Sequence, residues 1–264
     1  MHINMNNFQK LIDIMAKLRS EQGCAWDKVQ THETLKPYLI EESYEVIEAI
    51  DEKDPAKLKE ELGDLLMQVV FHSQVAKDSG HFDINDVIEK ISSKMVSRHP
   101  HVFGDAKFDT PDEVKKQWHD RKKEEGKFRD SALEGVPKEL PSLLRAHRLQ
   151  SRAAKVGFNW EKVEDVFEKL DEELQEFKEA VANRDTKEIE GEIGDIIFVL
   201  VNISRFVGVN AEEALRKSTS KFVSRFRYIE IKAAEAGRKL EDMTLEEMDV
   251  LWDEAKTTEP GHKV

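Results

Sequence analysis

The sequence predicts an all-α protein, and three observations support this. Apolar residues recur every three or four positions, as at Leu58, Leu62 and Leu65, which is the period of an amphipathic helix. Glycine and proline number only 12 and 7 in 264 residues, well below average usage. We find no stretch with the apolar–polar alternation of a half-buried strand. The chain is therefore expected to fold as helices joined by short connections.

Charge and cysteine content narrow the functional classes. The chain carries 54 acidic and 41 basic side chains and a formal net charge of −13, which argues against binding to nucleic acid or an anionic membrane. Its longest apolar run, Ile196 to Val201, is too short to span a bilayer, and no secretory signal is apparent. The single cysteine, Cys24, excludes an intrachain disulfide. These features predict a cytoplasmic protein.

The chain is expected to contain two copies of one helical unit. Glycine and proline cluster over residues 126–141, which predicts domains at 1–125 and 142–264 with a linker between them. Both halves contain W-x-K-V, E-x-x-E, E-x-G-D and K-x-V-S-R motifs in the same order. Trp26 and Trp118 are 92 positions apart, and so are Trp160 and Trp252. Because the matched positions are largely charged, each unit is predicted to hold a polar site or its relic.

Each half contains four carboxylates, in two pairs whose members are three positions apart and share a helix face. They are Glu42, Glu45, Glu61 and Asp64 in the first half, and Glu173, Glu176, Glu192 and Asp195 in the second. The pairs lie eight and eleven positions on either side of a turn centred on residue 53 or Arg184. In an antiparallel hairpin, residues equidistant from the turn lie level, so each quartet is predicted to meet.

Such a quartet needs neutralisation. Carboxylates about 5 Å apart repel by about 3 kcal/mol per pair at an effective dielectric constant near 20. A solvated acidic face would explain one glutamate, but not eight acids at matched positions. All-oxygen ligation favours Mg²⁺ or Mn²⁺ over zinc, and a di-iron site would need Glu-x-x-His motifs that neither half contains. Gly63 and Gly194, between the paired acids, are explained equally well by close helix packing and by room for a ligand.

Basic pairs downstream of each quartet indicate phosphate binding. Lys94 with Arg98, and Lys221 with Arg225, lie four positions apart on one helix face and could clamp an anion. Trp118 and Trp252 are core residues or, less commonly, stacking surfaces for a base. Carboxylates for a metal beside cationic groups suggest hydrolysis of a phosphate ester or anhydride. The residues alone do not identify the bond that is cut.

Four segments of the chain closely resemble the bacterial MazG nucleoside triphosphate pyrophosphohydrolases. They are Trp26-Asp27, Tyr38 to Val46, Glu61 to Leu66 and Arg98 to Phe103. The resemblance covers the whole chain in the two-domain form of that family. It implies carboxylate-lined four-helix sites completed by homodimerisation. It also implies Mg²⁺-dependent hydrolysis of NTPs and dNTPs to the monophosphate and pyrophosphate, by attack of water at the α-phosphorus.

The resemblance further implies that the C-terminal unit is the active one. Its metal ligands would be Glu173, Glu176, Glu192 and Asp195, with Glu172 and Glu173 as catalytic residues. Its nucleotide contacts would be Lys169, Glu172, Lys187, Lys221, Arg225 and Trp252. Lys187 is included because Glu188 occupies the position where the family pattern has a lysine. In the first unit Tyr38 stands at the position that Lys169 occupies in the second unit. Whether the acids of the first unit, with Lys94 and Arg98, form a second active site therefore stays open.

Two other interpretations remain. The chain could be a non-catalytic helical module that senses nucleotides or binds proteins, with metal held structurally. It could also hydrolyse a single modified or pyrimidine nucleotide. Because the sequence shows no readable base-discriminating pocket, broad base specificity is expected.

Overall fold

The computed structural model describes residues 5–107, 110, 113–114 and 131–258. Every regular element within these ranges is helical, which confirms the all-α prediction for the described part of the chain. Trp118, the charged run 121–125 and the start of the predicted linker lie outside the described residues. The chain divides into two compact units, residues 1–127 and 128–264.

The first unit contains a long helical hairpin with shorter helices around it. Its helices are α1 (Met5–Arg19), α2 (Ala25–Val29), α3 (Lys36–Glu52), α4 (Pro55–Asp78), α5 (Ile84–Arg98) and α6 (Pro100–Phe103). Helix α4 packs against α3, α1 and α5. The core lies along α4, where Val70 and Phe71 are almost fully buried together with Met15 of α1 and Leu35 of the connection before α3.

The second unit repeats the hairpin. Its helices are α7 (Ser142–Lys155), α8 (Val163–Asn183), α9 (Thr186–Phe206), α10 (Ala211–Glu235) and α11 (Leu245–Thr258), with a 3₁₀ turn at Leu240–Asp242. Helices α8 and α9 make the most extensive packing of the unit, and α10 packs on α11. Val166, Val201 and Ile229 are its most deeply buried large apolar side chains.

The two hairpin turns are built in the same way. Lys53 ends α3 and Arg184 ends α8, both in the left-handed conformation, with φ of 55° and 56°. The next residue, Asp54 or Asp185, caps the following helix because its Oδ1 accepts two backbone N–H groups. Residues 53 and 184 are the turn centres predicted from the carboxylate spacing.

Among the described helices, none combines the length and apolar character needed to cross a bilayer.

Candidate functional site

The hairpin of the second unit brings three of its four predicted carboxylates together. Glu173 and Glu176 extend from α8 and Glu192 from α9, and each contributes an oxygen to a group in which all oxygens lie within 4.8 Å of one another. Asp195 is exposed and is not a member of this group. Its side chain is one methylene shorter than that of glutamate. The predicted quartet is therefore three glutamates with an aspartate one turn further along α9.

The first unit repeats this arrangement. Glu42, Glu45 and Glu61 place their carboxylate oxygens within 4.8 Å of one another, and Asp64 again falls outside the group. Asp64 is nevertheless close enough for its charge to raise the pKa of Glu42 and of Glu61. We call these two sets the first and second carboxylate groups.

The electrostatics of both groups disfavour full ionisation. Burial, followed by the charges of Glu176, Glu173 and Asp195, raises the pKa of Glu192 above its ordinary value. Burial is also the largest cause that raises the pKa of Glu42 and of Glu61. A cation between the carboxylates would remove this penalty by favouring their charged forms.

Lys169 supplies a positive charge to the second carboxylate group. Its Nζ lies 2.8 Å from an oxygen of Glu173 and 2.9 Å from one of Glu172. These two hydrogen bonds, the one with Glu173 first, raise the pKa of Lys169 above its ordinary value. Glu173 is buried, whereas Glu172 keeps just over half of its side chain exposed. The structure therefore places the predicted residue Lys169 in direct contact with both Glu172 and the metal-ligand candidate Glu173.

The other predicted nucleotide contacts lie on different elements. The guanidinium carbon of Arg225 on α10 lies 5.4 Å from the ring centroid of Trp252 on α11, in a cation–π arrangement. Phe222 contacts the same ring, at a centroid distance of 5.4 Å. Lys221 is exposed on α10, and Lys187 is exposed in the first turn of α9. Arg225 and Trp252 thus form a contacting pair, whereas the sequence-based prediction named them as two separate nucleotide contacts.

The basic pair of the first unit differs from its counterpart. Arg98, at the end of α5, is only 2% exposed, so it is not presented to solvent as a phosphate clamp. Lys94 lines a groove of about 450 Å³ along α5 together with Phe82 and Ile91. The end of α5 therefore buries the guanidinium of Arg98 and leaves Lys94 partly exposed, and the possible anion site at this pair stays a prediction.

Two features of the site were missed or left undecided by the sequence. Gln68 on α4 is 3% exposed and its Nε2 lies 3.4 Å from Glu42 Oε1. The repeat alignment offered a signal, since the position matching Gln68 in the second unit is Val199. A Cβ placed on Gly63 or Gly194 would meet no described atom within 4 Å. Close packing within the described chain therefore does not account for these glycines.

Both units of the chain match one protein family. The family described as "MazG nucleotide pyrophosphohydrolase domain" matches residues 30–103 and 161–229, one segment in each unit. The nucleoside triphosphate pyrophosphohydrolase/pyrophosphatase MazG of Thermotoga maritima is 50% identical over 94% of this chain and 95% of its own length. The nucleoside triphosphate pyrophosphohydrolase of Escherichia coli is 44% identical over 97% of this chain and 99% of its own.

A third relative contains a similar sequence within a longer protein. The uncharacterized protein YabN of Bacillus subtilis is 50% identical over 96% of this chain, which corresponds to 52% of that protein. The two matched segments confirm the predicted tandem repeat. The chain belongs to the MazG nucleotide pyrophosphohydrolase family and contains its domain twice.

Proposed function

We propose that the second unit of this chain hydrolyses nucleoside triphosphates, both NTPs and dNTPs, to the monophosphate and pyrophosphate with broad base specificity. The observation that carries the proposal is the second carboxylate group beside Lys169, because it combines oxygen ligands for a cation with a positive charge. The names of the T. maritima and E. coli relatives support the same reaction.

The residues of the second carboxylate group fit Mg²⁺ or Mn²⁺. Every donor is a carboxylate oxygen, which suits these hard cations. Glu192 Oε2 is buried and accepts no hydrogen bond from the described residues. We propose that Glu173, Glu176 and Glu192 hold the ion, with Asp195 completing the set. A bound ion would neutralise the carboxylates and polarise the phosphate oxygens.

The protein groups around the ion would position water and phosphate. Lys169 fixes the carboxylates of Glu172 and Glu173 through its two ion pairs. Glu172, which is the more exposed of the two, would accept the proton of the attacking water. The water oxygen forms a bond to the α-phosphorus, and the bond from the α-phosphorus to the oxygen bridging to the β-phosphate breaks, so that pyrophosphate leaves.

The cationic residues would bind the negative charge of the triphosphate. We assign this role to Lys187, Lys221 and Arg225, because their ammonium and guanidinium groups suit phosphate oxygens. The Trp252 ring restrains the Arg225 guanidinium through their cation–π contact. The part of the ring that stays exposed would contact the base or sugar.

Product analysis tests the proposed reaction. Purified full-length chain with Mg²⁺ should release pyrophosphate from ATP, GTP, CTP, UTP and the four dNTPs, with rates within about tenfold of one another. Release of orthophosphate in place of pyrophosphate would place the attack at the γ-phosphorus. Absence of any product from all eight nucleotides would contradict hydrolysis and favour a non-catalytic module.

We also propose that the protein is a homodimer in which the hairpins pack together. The hairpin helices leave large apolar side chains exposed in both units: Tyr44, Ile47, Leu62, Leu66, Val69, Val181, Ile193, Ile197 and Leu200. Burying these surfaces would be favourable. Light scattering at about 10 µM is expected to give twice the chain mass of 30.5 kDa. A mass of one chain would contradict the proposal.

We propose functional domains at residues 1–125 and 142–264 with a linker at 126–141. We also propose a cytoplasmic location and no nucleic-acid partner, in keeping with the net charge of −13.

A further inference from the structure

Two histidines outside the carboxylate groups connect two elements of the first unit. His32 lies in the segment between α2 and α3, and His72 lies on α4. Their Nδ1 atoms are 2.8 Å apart, and their rings are nearly parallel, with an interplanar angle of 7°. At this distance the Nδ1–H of one ring donates a hydrogen bond to the Nδ1 atom of the other, which accepts it. This bond holds the segment 30–35 against α4.

The surroundings of His72 disfavour a positive charge. Its neighbours on α4, Phe71 and Ser73, are 2% and 3% exposed, and Leu35 at the end of the segment is 1% exposed. The Nε2 atom of His72 is buried and has no hydrogen-bond partner among the described residues. An imidazolium would place an N–H group there without an acceptor. Burial, followed by the charge of His32, lowers the pKa of His72 below its ordinary value.

Charged groups on the elements around the pair are exposed or contact other residues. Glu33 and Lys36, which follow His32 in the chain, are exposed. Others are Arg19 of α1 paired with Asp78 of α4, Lys77 of α4 paired with Asp83 before α5, and Glu42 of α3 beside Gln68. Among the described residues, His32 is the one whose charge acts on the pKa of His72. Protonation of His72 is therefore governed by burial and by its histidine partner.

The hydrogen bond between the two rings survives one added proton but not two. In the neutral pair, one hydrogen lies between the Nδ1 atoms. A first proton can bind at the Nε2 atom of the donor ring and leave that hydrogen in place. A second proton must bind at the Nδ1 atom of the acceptor ring, because the Nε2 atom of that ring already carries a hydrogen. Two N–H groups on positively charged rings then face each other and repel.

We propose that His32 and His72 form a proton-sensitive latch, which holds the segment 30–35 on α4 while at most one ring is protonated and releases it when both are. The latch is separate from both carboxylate groups and does not depend on the proposed function. Its release would loosen the chain directly before α3, the helix that carries Glu42 and Glu45.

The effect of the latch on stability has a definite sign. Because the pKa of His72 in the folded state is below its unfolded value, the neutral form contributes stability. This contribution is fully present above the unfolded pKa and is lost as the pH falls through the folded pKa. The segment 30–35 is therefore expected to open more often in acid than at neutral pH.

Hydrogen exchange, measured by mass spectrometry on the full-length, metal-free chain, tests the release. The backbone N–H groups of Leu35, Lys36 and Leu39 donate to backbone carbonyl oxygens and report on the segment. After correction for the intrinsic effect of pH, their protection in the wild type is expected to fall at least about fivefold between about pH 7.5 and pH 4.5. In His72→Ile, which introduces the residue at the matching position of the second unit, protection should depend little on pH. Equal losses in both proteins, or no loss in the wild type, would overturn the proposal.

Titration of the imidazoles by nuclear magnetic resonance tests the coupling between the two rings. In a chain labelled with ¹⁵N in histidine, the ring nitrogen shifts give the titration midpoint of His72, whose signal is identified by its loss in His72→Ile. His32→Gln replaces the partner by a side chain that takes up no proton, so the midpoint of His72 should rise. Substitution of an exposed histidine, His81→Gln, is the matched control and should leave it unchanged. An unchanged midpoint in His32→Gln would refute the latch, because burial alone would then set the pKa. Circular dichroism checks that the variants are folded.

Discussion

Replacing Glu173 by glutamine is expected to lower the rate of pyrophosphate release from ATP by at least about a hundredfold. The substitution keeps the size of the side chain but removes a negative charge from the second carboxylate group and the ion pair with Lys169. Cation binding is then weakened, and Glu172 is less firmly oriented. Steady-state release with saturating Mg²⁺ measures the effect, and unchanged helicity by circular dichroism excludes unfolding as its cause.

The internal repeat provides the matched control for this experiment. Glu42→Gln makes the same chemical change at the equivalent position of the first unit. If Glu42→Gln abolished release while Glu173→Gln left it intact, the assignment of the reaction to the second unit would be wrong. Loss in both variants would indicate that the two units depend on each other for turnover.

Replacing Glu192 by glutamine is expected to stabilise the metal-free protein and to reduce its stabilisation by Mg²⁺. Burial and the neighbouring charges of Glu176, Glu173 and Asp195 raise the pKa of Glu192, so its ionisation at neutral pH opposes folding. A neutral amide removes that penalty but is a poorer ligand for the cation. At about pH 8 the metal-free melting temperature of the variant should be a few degrees above that of the wild type. Addition of Mg²⁺ should raise the melting temperature of the wild type more than that of the variant.

The pH dependence has a definite sign. Because the pKa of Glu192 in the folded state is above its unfolded value, its protonated form contributes stability at low pH that is lost as the pH rises through the folded pKa. The metal-free wild type should therefore lose more stability than Glu192→Gln between about pH 5 and pH 8. Thermal unfolding at several pH values in a chelating buffer measures the difference. Parallel curves for the two proteins would contradict the assignment.

Much of the fold was predictable because helical signals are local. Apolar period, scarce glycine and proline, and equal carboxylate spacing about residues 53 and 184 each depend on nearby residues. The structure places left-handed Lys53 and Arg184 at those centres. The charged motifs shared by the two halves predicted the repeat, which the two family segments confirmed.

The details of the site were less predictable because they depend on side-chain length and on burial. Helix spacing places Asp64 and Asp195 on the correct faces, but it does not show that their shorter side chains fall outside the groups of three glutamates. It also gives Arg98 and Arg225 the same role. In the structure, Arg98 is buried, whereas Arg225 stacks on Trp252.

Spacing along the chain is sufficient to derive the helical class, the duplication and which acids could face one another. Which charge or amide meets each acid emerges only in the folded protein. Lys169 reaches Glu173 along one helix, while Gln68 reaches Glu42 from the neighbouring helix of its hairpin. Such contacts depend on how deeply each side chain is buried and how far it extends between packed helices, and neither property can be derived from periodicity.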